Sequence, residues 1–424
     1  WGKNPAPFQT VVSLLKEEYL AYPPGTIHAY CNLGADLLGV MLERVSGKEY
    51  AELLPAAVLQ PLDMANSSYT LQPHIKQKLS MGYNKDGQPE HDVAMRDIPA
   101  GNLYTNVLDL GNMLIMLLNN GAFRGRQILP EKLVREMLSP QNDDTPLDGN
   151  FKIGYELFLQ SPSLSYAGND FRHGGHLYLF HGQIIGIAEQ KTAVAVLANS
   201  AGAAESVQPI AEQLLKAAVA ASSGLLPPAP DPRPKTATLP PGLREPANYA
   251  GDYGTIIGLL KVRETRKGSY TAELAGTTLE LLPDQKNWLK PRYRLWGLLP
   301  LSHPLLNDLR LAFRTVNGED IVFIQYGDDV AAIGKRIVDY TLPAAWRNRQ
   351  GVYRTNDPEN QLLEIDRLTL KINKQGFLML AVATETKQAQ MGELVLYPVS
   401  DNEAVIYGLG RRMMETVAVK QETG

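Results

Sequence analysis

The stretch PPGTIHAYCN, residues 23–32, sets Tyr30 and Asn32 one residue apart, just past the turn that Pro24 and Gly25 force and just before a helical pattern. A phenol held in place can carry a proton between a nucleophile and a leaving group, and a neighbouring amide can hydrogen-bond a substrate. An ordinary half-buried aromatic at the start of a helix has the same spelling. A second candidate is FRHGGHLYLF, where His173, Gly174 and Gly175 stand at the entry to a strand-like run. Paired glycines at a strand edge let a ligand or another backbone come close, so His173 beside them reads as a substrate-binding rim or, equally, as a surface histidine on a hairpin. Cys31, the sole cysteine, offers a thiol nucleophile to pair with His173. His173, His176 and His181 have the donor type for zinc, yet no cysteine or carboxylate lies close to them in sequence. His28, His74, His91 and His303 read as surface or hydrogen-bonded residues.

The elements around these residues are legible from periodicity. FQTVVSLLKEEYL, LGADLLGVMLERVSG and VLDLGNMLIMLLNNG carry apolar residues at helical spacing, the last two closing at Gly47 and Gly121. GYELFLQ, LYLFHGQIIGIAEQ and TAVAVLANS read as strands, the last as an interior one because it is largely apolar, and VQPIAEQLLKAAVAA as a closing helix. This order predicts an α/β (α+β) fold, a sheet with helices packed on it plus a helical lobe. The proline-dense segment 222–246 reads as a semi-rigid spacer. Beyond it come short alternating strands, with VNGEDI as an Asn-Gly hairpin. NYAGDYGT at 248–255 and NRQGVYRTND at 348–357 open two blocks, each the size of one small antiparallel β-barrel. The expected division is 1–221, a linker at 222–246, then barrels at 247–343 and 344–424. Trp288, Tyr293, Trp296 and Trp346 make the barrels aromatic-rich; interiors of this size are usually filled by their own side chains rather than by a ligand.

The 424 residues exceed what one core organises well, which favours two to four domains. A net charge of -4 with 20% charged residues gives no basic surplus to attract nucleic acid or an anionic membrane. A single cysteine permits no intrachain disulfide. LWGLLPLSHPLLNDL is broken by prolines, a histidine and an asparagine and falls short of a membrane span.

Residues 22–69 around Tyr30, residues 100–141, and HGGHLYLF followed by AVAVLANS resemble, in that order, three blocks of the serine β-lactamase and penicillin-binding-protein superfamily. The resemblance is to its class C-like branch of esterases, D-aminopeptidases and D-Ala-D-Ala carboxypeptidases, and it runs through about residues 8 to 215. It implies a β-lactamase/transpeptidase-like sheet with a helical lobe, and the downstream blocks are similar to the lipocalin-like barrels of D-aminopeptidase-type members. It also implies roles. Tyr30 exchanges a proton with the nucleophile and leaving group, which requires nearby cations to bring its pKa down from about 10. Asn32 bonds the substrate amide and a catalytic lysine. His173 stands where a lysine usually meets the substrate carboxylate, with Gly174 and Gly175 giving backbone access. The backbone N–H of His176 is an oxyanion donor.

The family's serine lies on a Ser-x-x-Lys helix well upstream of the tyrosine. SLLK, Ser13 to Lys16, matches literally but sits in the helix leading directly into the PPG turn, so it is read as coincidental. The chain starts at Trp1 and is expected to be a fragment or processing product whose N-terminal complement, in the same polypeptide or as a separate chain, carries the nucleophile. The expected activity is acyl transfer to serine and then to water, on an ester, amide or D-amino-acid peptide, without metal or organic cofactor, in the periplasm or outside the cell. The other reading is a catalytically silent relative binding a peptide, glycan or protein.

Overall fold

The computed structural model describes residues 5–17, 23–91, 94–229, 236–239, 242–295, 299–301, 306, 308–353, 365–384, 391–409 and 416–418. Trp296 and His303 lie outside these. The chain divides into two compact units, the first holding residues 1–16, 31–143 and 151–230 and the second 17–30, 144–150 and 231–424.

In the first unit, helix α1 (Asn32–Ser46) ends at Gly47, whose φ of 69° is the left-handed conformation and whose N–H donates to the Glu43 carbonyl at 2.8 Å. A short helix, α2 (Ile98–Gly101), crosses α1 so closely that a Cβ at Gly39 would stand 2.4 Å from Pro99 Cγ. Helix α3 (Val107–Leu118) follows, then a five-stranded antiparallel sheet in chain order, β1 (Lys152–Ile153), β2 (Phe158–Leu159), β3 (Asp170–His176), β4 (His181–Ile187) and β5 (Thr192–Ala198). Helix α4 (Val207–Ser223) completes the unit.

Period-two alternation explains the layering. Ile185 and Ile187 on β4 and Val194 and Val196 on β5 pack with Ala211, Leu215 and Val219 of α4, whereas Ile184, Ala193 and Ala195 pack with Leu114, Leu117 and Leu118 of α3. Both faces of the sheet are thus covered, which is why TAVAVLANS is largely apolar. Apolarity here reports two covered faces and not a central position: among the described residues β5 is the last strand of its sheet.

Helix α3 begins at Asn106, whose side-chain oxygen accepts from the N–H groups of Leu108 and Asp109 at 2.9 and 3.0 Å. The buried Asp109 then accepts from Asn66 N–H at 2.9 Å and Ser67 Oγ at 2.7 Å. Asn106→Ala is expected to lower stability by about 1 kcal/mol, read as a shift in the urea midpoint with unchanged slope.

In the second unit, eight antiparallel strands close into a barrel: β6 (Gly251–Thr255), β7 (Gly258–Arg266), β8 (Ser269–Leu274), β9 (Thr277–Pro283), β10 (Leu289–Leu295), β11 (Leu309–Val316), β12 (Glu319–Tyr326) and β13 (Asp329–Arg336). The ring closes because β10 pairs with β9 as well as with β11, and β6 pairs with β13. Asn317 and Gly318, with φ of 51° and 84°, make the hairpin between β11 and β12. Tyr253, Val262, Leu281, Phe313 and Val322 form one buried cluster of the barrel. The second block is a six-stranded antiparallel sheet in chain order from Gly351 to Ala418, built around Trp346, Leu378 and Leu396. No pairing among the described residues closes it into a barrel. Residues 17–30 and 144–150 join this unit through Ile27 and Leu147, which share a core cluster with Trp288 and Phe323, and through His28 N–H donating to Asp148 Oδ1 at 2.8 Å.

Candidate active site

Asn32 is the first residue of α1, and the extended Cys31 (φ -148°, ψ 106°) turns the chain into that helix. Cys31 and Tyr30 are solvent-exposed. Contacts group Tyr30 with the second unit and Asn32, His173, Gly174, Gly175 and His176 with the first.

The strand that carries the histidines is the most informative part. Leu177 N–H donates to the Phe180 carbonyl at 2.9 Å, closing the hairpin between β3 and β4, while Gln160 N–H donates to the Asp170 carbonyl at 3.0 Å from the opposite side. In an antiparallel ladder the backbone groups of successive residues point to alternate sides. Odd-numbered residues of β3 therefore turn theirs to β4, and even-numbered ones to the other edge. Strand β2 covers that edge only up to Arg172, paired with Phe158. Among the described residues no strand pairs with it at Gly174 or His176, so the N–H of each points out of the sheet. This is the geometry an oxyanion or substrate-backbone donor needs.

His173 stacks on Phe158 with ring centroids 5.9 Å apart and 23° between planes, and Phe158 meets Phe151 edge-on at 5.2 Å. Burial lowers the pKa of His173, against the smaller upward pull of the Glu156 charge and the Gly174 backbone. Burial thus favours its neutral form. His176 and His181 face each other across the hairpin, Nδ1 to Nδ1 at 3.1 Å with ring centroids 5.2 Å apart. Two histidines flanking the four residues LYLF signal this contact, because a tight hairpin pairs its flanks. His173, His176 and His181 gather no metal site: among the described residues no group of three or more histidine, cysteine or carboxylate side chains could hold an ion.

Ser13 lies on a short helix, Val11–Leu14, and its hydroxyl donates to the Thr10 carbonyl at 2.7 Å; both Ser13 and Lys16 are exposed. A buried acid that sequence reasoning passed over sits behind Asn32. Asp36, on α1, is 0% exposed and lies near Asp97 and the Ala100 N–H. Burial first, then the charge of Asp97, pushes its pKa up to about 7, with the Ala100 N–H and Arg96 pulling down. Its only signal was a carboxylate on the apolar stripe of a helix.

Known proteins resemble this chain as follows. The family model described as Beta-lactamase matches residues 1–219. A human beta-lactamase-like protein is 29% identical over 135 residues, covering 31% of this chain and 26% of its own. Beta-lactamase-like protein 2 of Dictyostelium discoideum is 27% identical over 157 residues, covering 35% of this chain and 28% of its own. The chain thus spans about a quarter of the length of the curated relatives it matches. The crystal structure of SurE aligns at a TM-score of 0.51 and 20% identity, covering 78% of this chain and 73% of SurE, and its complex with D-Leu at 0.50. At that identity the likeness is one of fold.

Proposed function

The chain belongs to the β-lactamase family, and from that premise we propose that it is part of a serine hydrolase that forms an acyl-enzyme on an ester, an amide or a D-amino-acid peptide. The observation that carries the reading is the uncovered edge of β3, where the His176 N–H points outward beside two glycines. A serine hydroxyl attacks the acyl carbonyl; Tyr30 takes its proton and hands it to the departing oxygen or nitrogen. Water then cleaves the acyl ester, its proton passing through Tyr30 back to the serine. The His176 N–H stabilises the oxyanion in both steps. Asn32 holds the substrate amide, and the neutral His173, with Gly174 and Gly175 beside it, meets the substrate's polar end. A neutral imidazole attracts a carboxylate less than a lysine does, which favours esters and D-amino-acid amides over β-lactams. The D-Leu bound by SurE is a ligand of the same class.

We place the serine on a segment outside these 424 residues. Two features of the first unit support a complement: among the described residues no strand pairs with the outer edge of β5, which Tyr83 bridges just past its end at Ser200, and α1 exposes Leu38, Met41, Leu42 and Val45 along one side. The experiment is a substrate panel with the full-length protein. We expect hydrolysis of p-nitrophenyl esters or D-alanine p-nitroanilide at rates that EDTA leaves unchanged. Turnover abolished by EDTA, or confined to L-amino-acid peptides, contradicts the proposal.

A further inference from the structure

We infer that His181 is a positioning residue, which fixes the ring of His176 in the tautomer whose Nδ1 accepts and whose Nε2 carries the hydrogen. The argument is one of proton counting. Between two nitrogens 3.1 Å apart only one hydrogen fits, so one Nδ1 donates and the other accepts. If His176 donated, His181 would have to carry its proton on Nε2. That atom is buried, in a residue 6% exposed, and has no hydrogen-bond partner among the described residues. A buried N–H without an acceptor costs about 1–3 kcal/mol, and orphaned donors are rarer than orphaned acceptors. The proton therefore sits on His181 Nδ1, and His176 accepts it.

The consequence falls on the exposed strand end. His176 Nε2 is on the side of Gly174, since a Cβ added there would lie 3.5 Å from it, and the missing side chain leaves that nitrogen accessible. The same residue then offers two donors, its outward backbone N–H and its Nε2–H. Under the hydrolase reading, on which this last point rests, the second donor meets a carbonyl or carboxylate oxygen of the acyl substrate. A second proton on His176 would have to sit on Nδ1, against the Nδ1–H of His181, and one on His181 would sit on its buried Nε2. Burial and the neighbouring His176 both act against such a proton on His181.

Long-range 1H–15N correlation spectra of the whole chain at neutral pH test this without any turnover, so failure of the hydrolase reading leaves the result intact and the reverse also holds. The expected spectrum shows His176 with a bare Nδ1 and protonated Nε2, and His181 with the opposite pattern. In His181→Phe, the His176 signals should move toward the average of two exchanging tautomers, a change that loss of packing alone does not produce. His176 protonated on Nδ1 in the wild type, or a His176 pattern unmoved in His181→Phe, overturns the assignment.

Discussion

Tyr30→Phe in the full-length protein is expected to cut turnover by roughly two orders of magnitude, the lower part of the range for a positioned acid–base group. The substitution removes one hydroxyl and keeps the ring, so packing is preserved and the proton relay is not. Both acylation and deacylation should slow, because Tyr30 takes a proton in each. Initial rates and the acyl-enzyme fraction, read in one stopped-flow experiment, separate the two steps. Turnover within threefold of wild type would remove Tyr30 from the mechanism and leave it as an exposed aromatic at the entrance to α1.

Asp36 gives the largest expected effect on stability. In the folded chain its carboxyl is pushed up to about 7, whereas an unfolded aspartate titrates near 3.9. Between those values the folded state keeps a proton that the unfolded state has lost. Stability of the first unit should therefore fall as pH rises from about 4 to about 7, then level off, by roughly 2–4 kcal/mol in all. Asp36→Asn keeps the shape and cannot ionise, so it should flatten this profile and be the more stable form at pH 8. Urea midpoints followed by helical circular dichroism at pH 4.5, 6 and 8 give the comparison. A wild-type midpoint that is level across this range contradicts the burial argument. Asp36 lies one turn beyond Asn32 on α1, and the nearby Asp97 directly precedes α2.

Local chemistry was readable from the residues. Gly47 in a left-handed conformation ends α1 as a glycine after an amphipathic run must, and Asn317-Gly318 turns between β11 and β12 because both residues tolerate positive φ. The α/β layering of the first unit followed from periodicity, whereas the role of the His176 N–H came only from the family resemblance. What stayed hidden depends on contacts distant in sequence. The closing pair β9–β10 is local, but the ring also needs β6 to find β13 some eighty residues on, and no residue type announces that. Ile27 and Leu147 join the core of Trp288 and Phe323 across more than a hundred residues, which moves 17–30 into the second unit against the order of the chain. TAVAVLANS looks central because apolar alternation counts covered faces and is blind to covered edges. Asp36 escaped notice because a single acid in a helix usually faces water, and here Asp36 turns inward, close to Asp97.

The central claim is that Tyr30, Asn32 and the β3 edge serve a serine that these 424 residues do not supply. Exposure of the full-length protein to a fluorophosphonate, followed by peptide mass mapping, tests it directly. The account predicts one adduct, on a serine followed three residues later by lysine and outside Trp1–Gly424, with Ser13 unmodified. An adduct on Ser13, or no adduct on any serine, would contradict it.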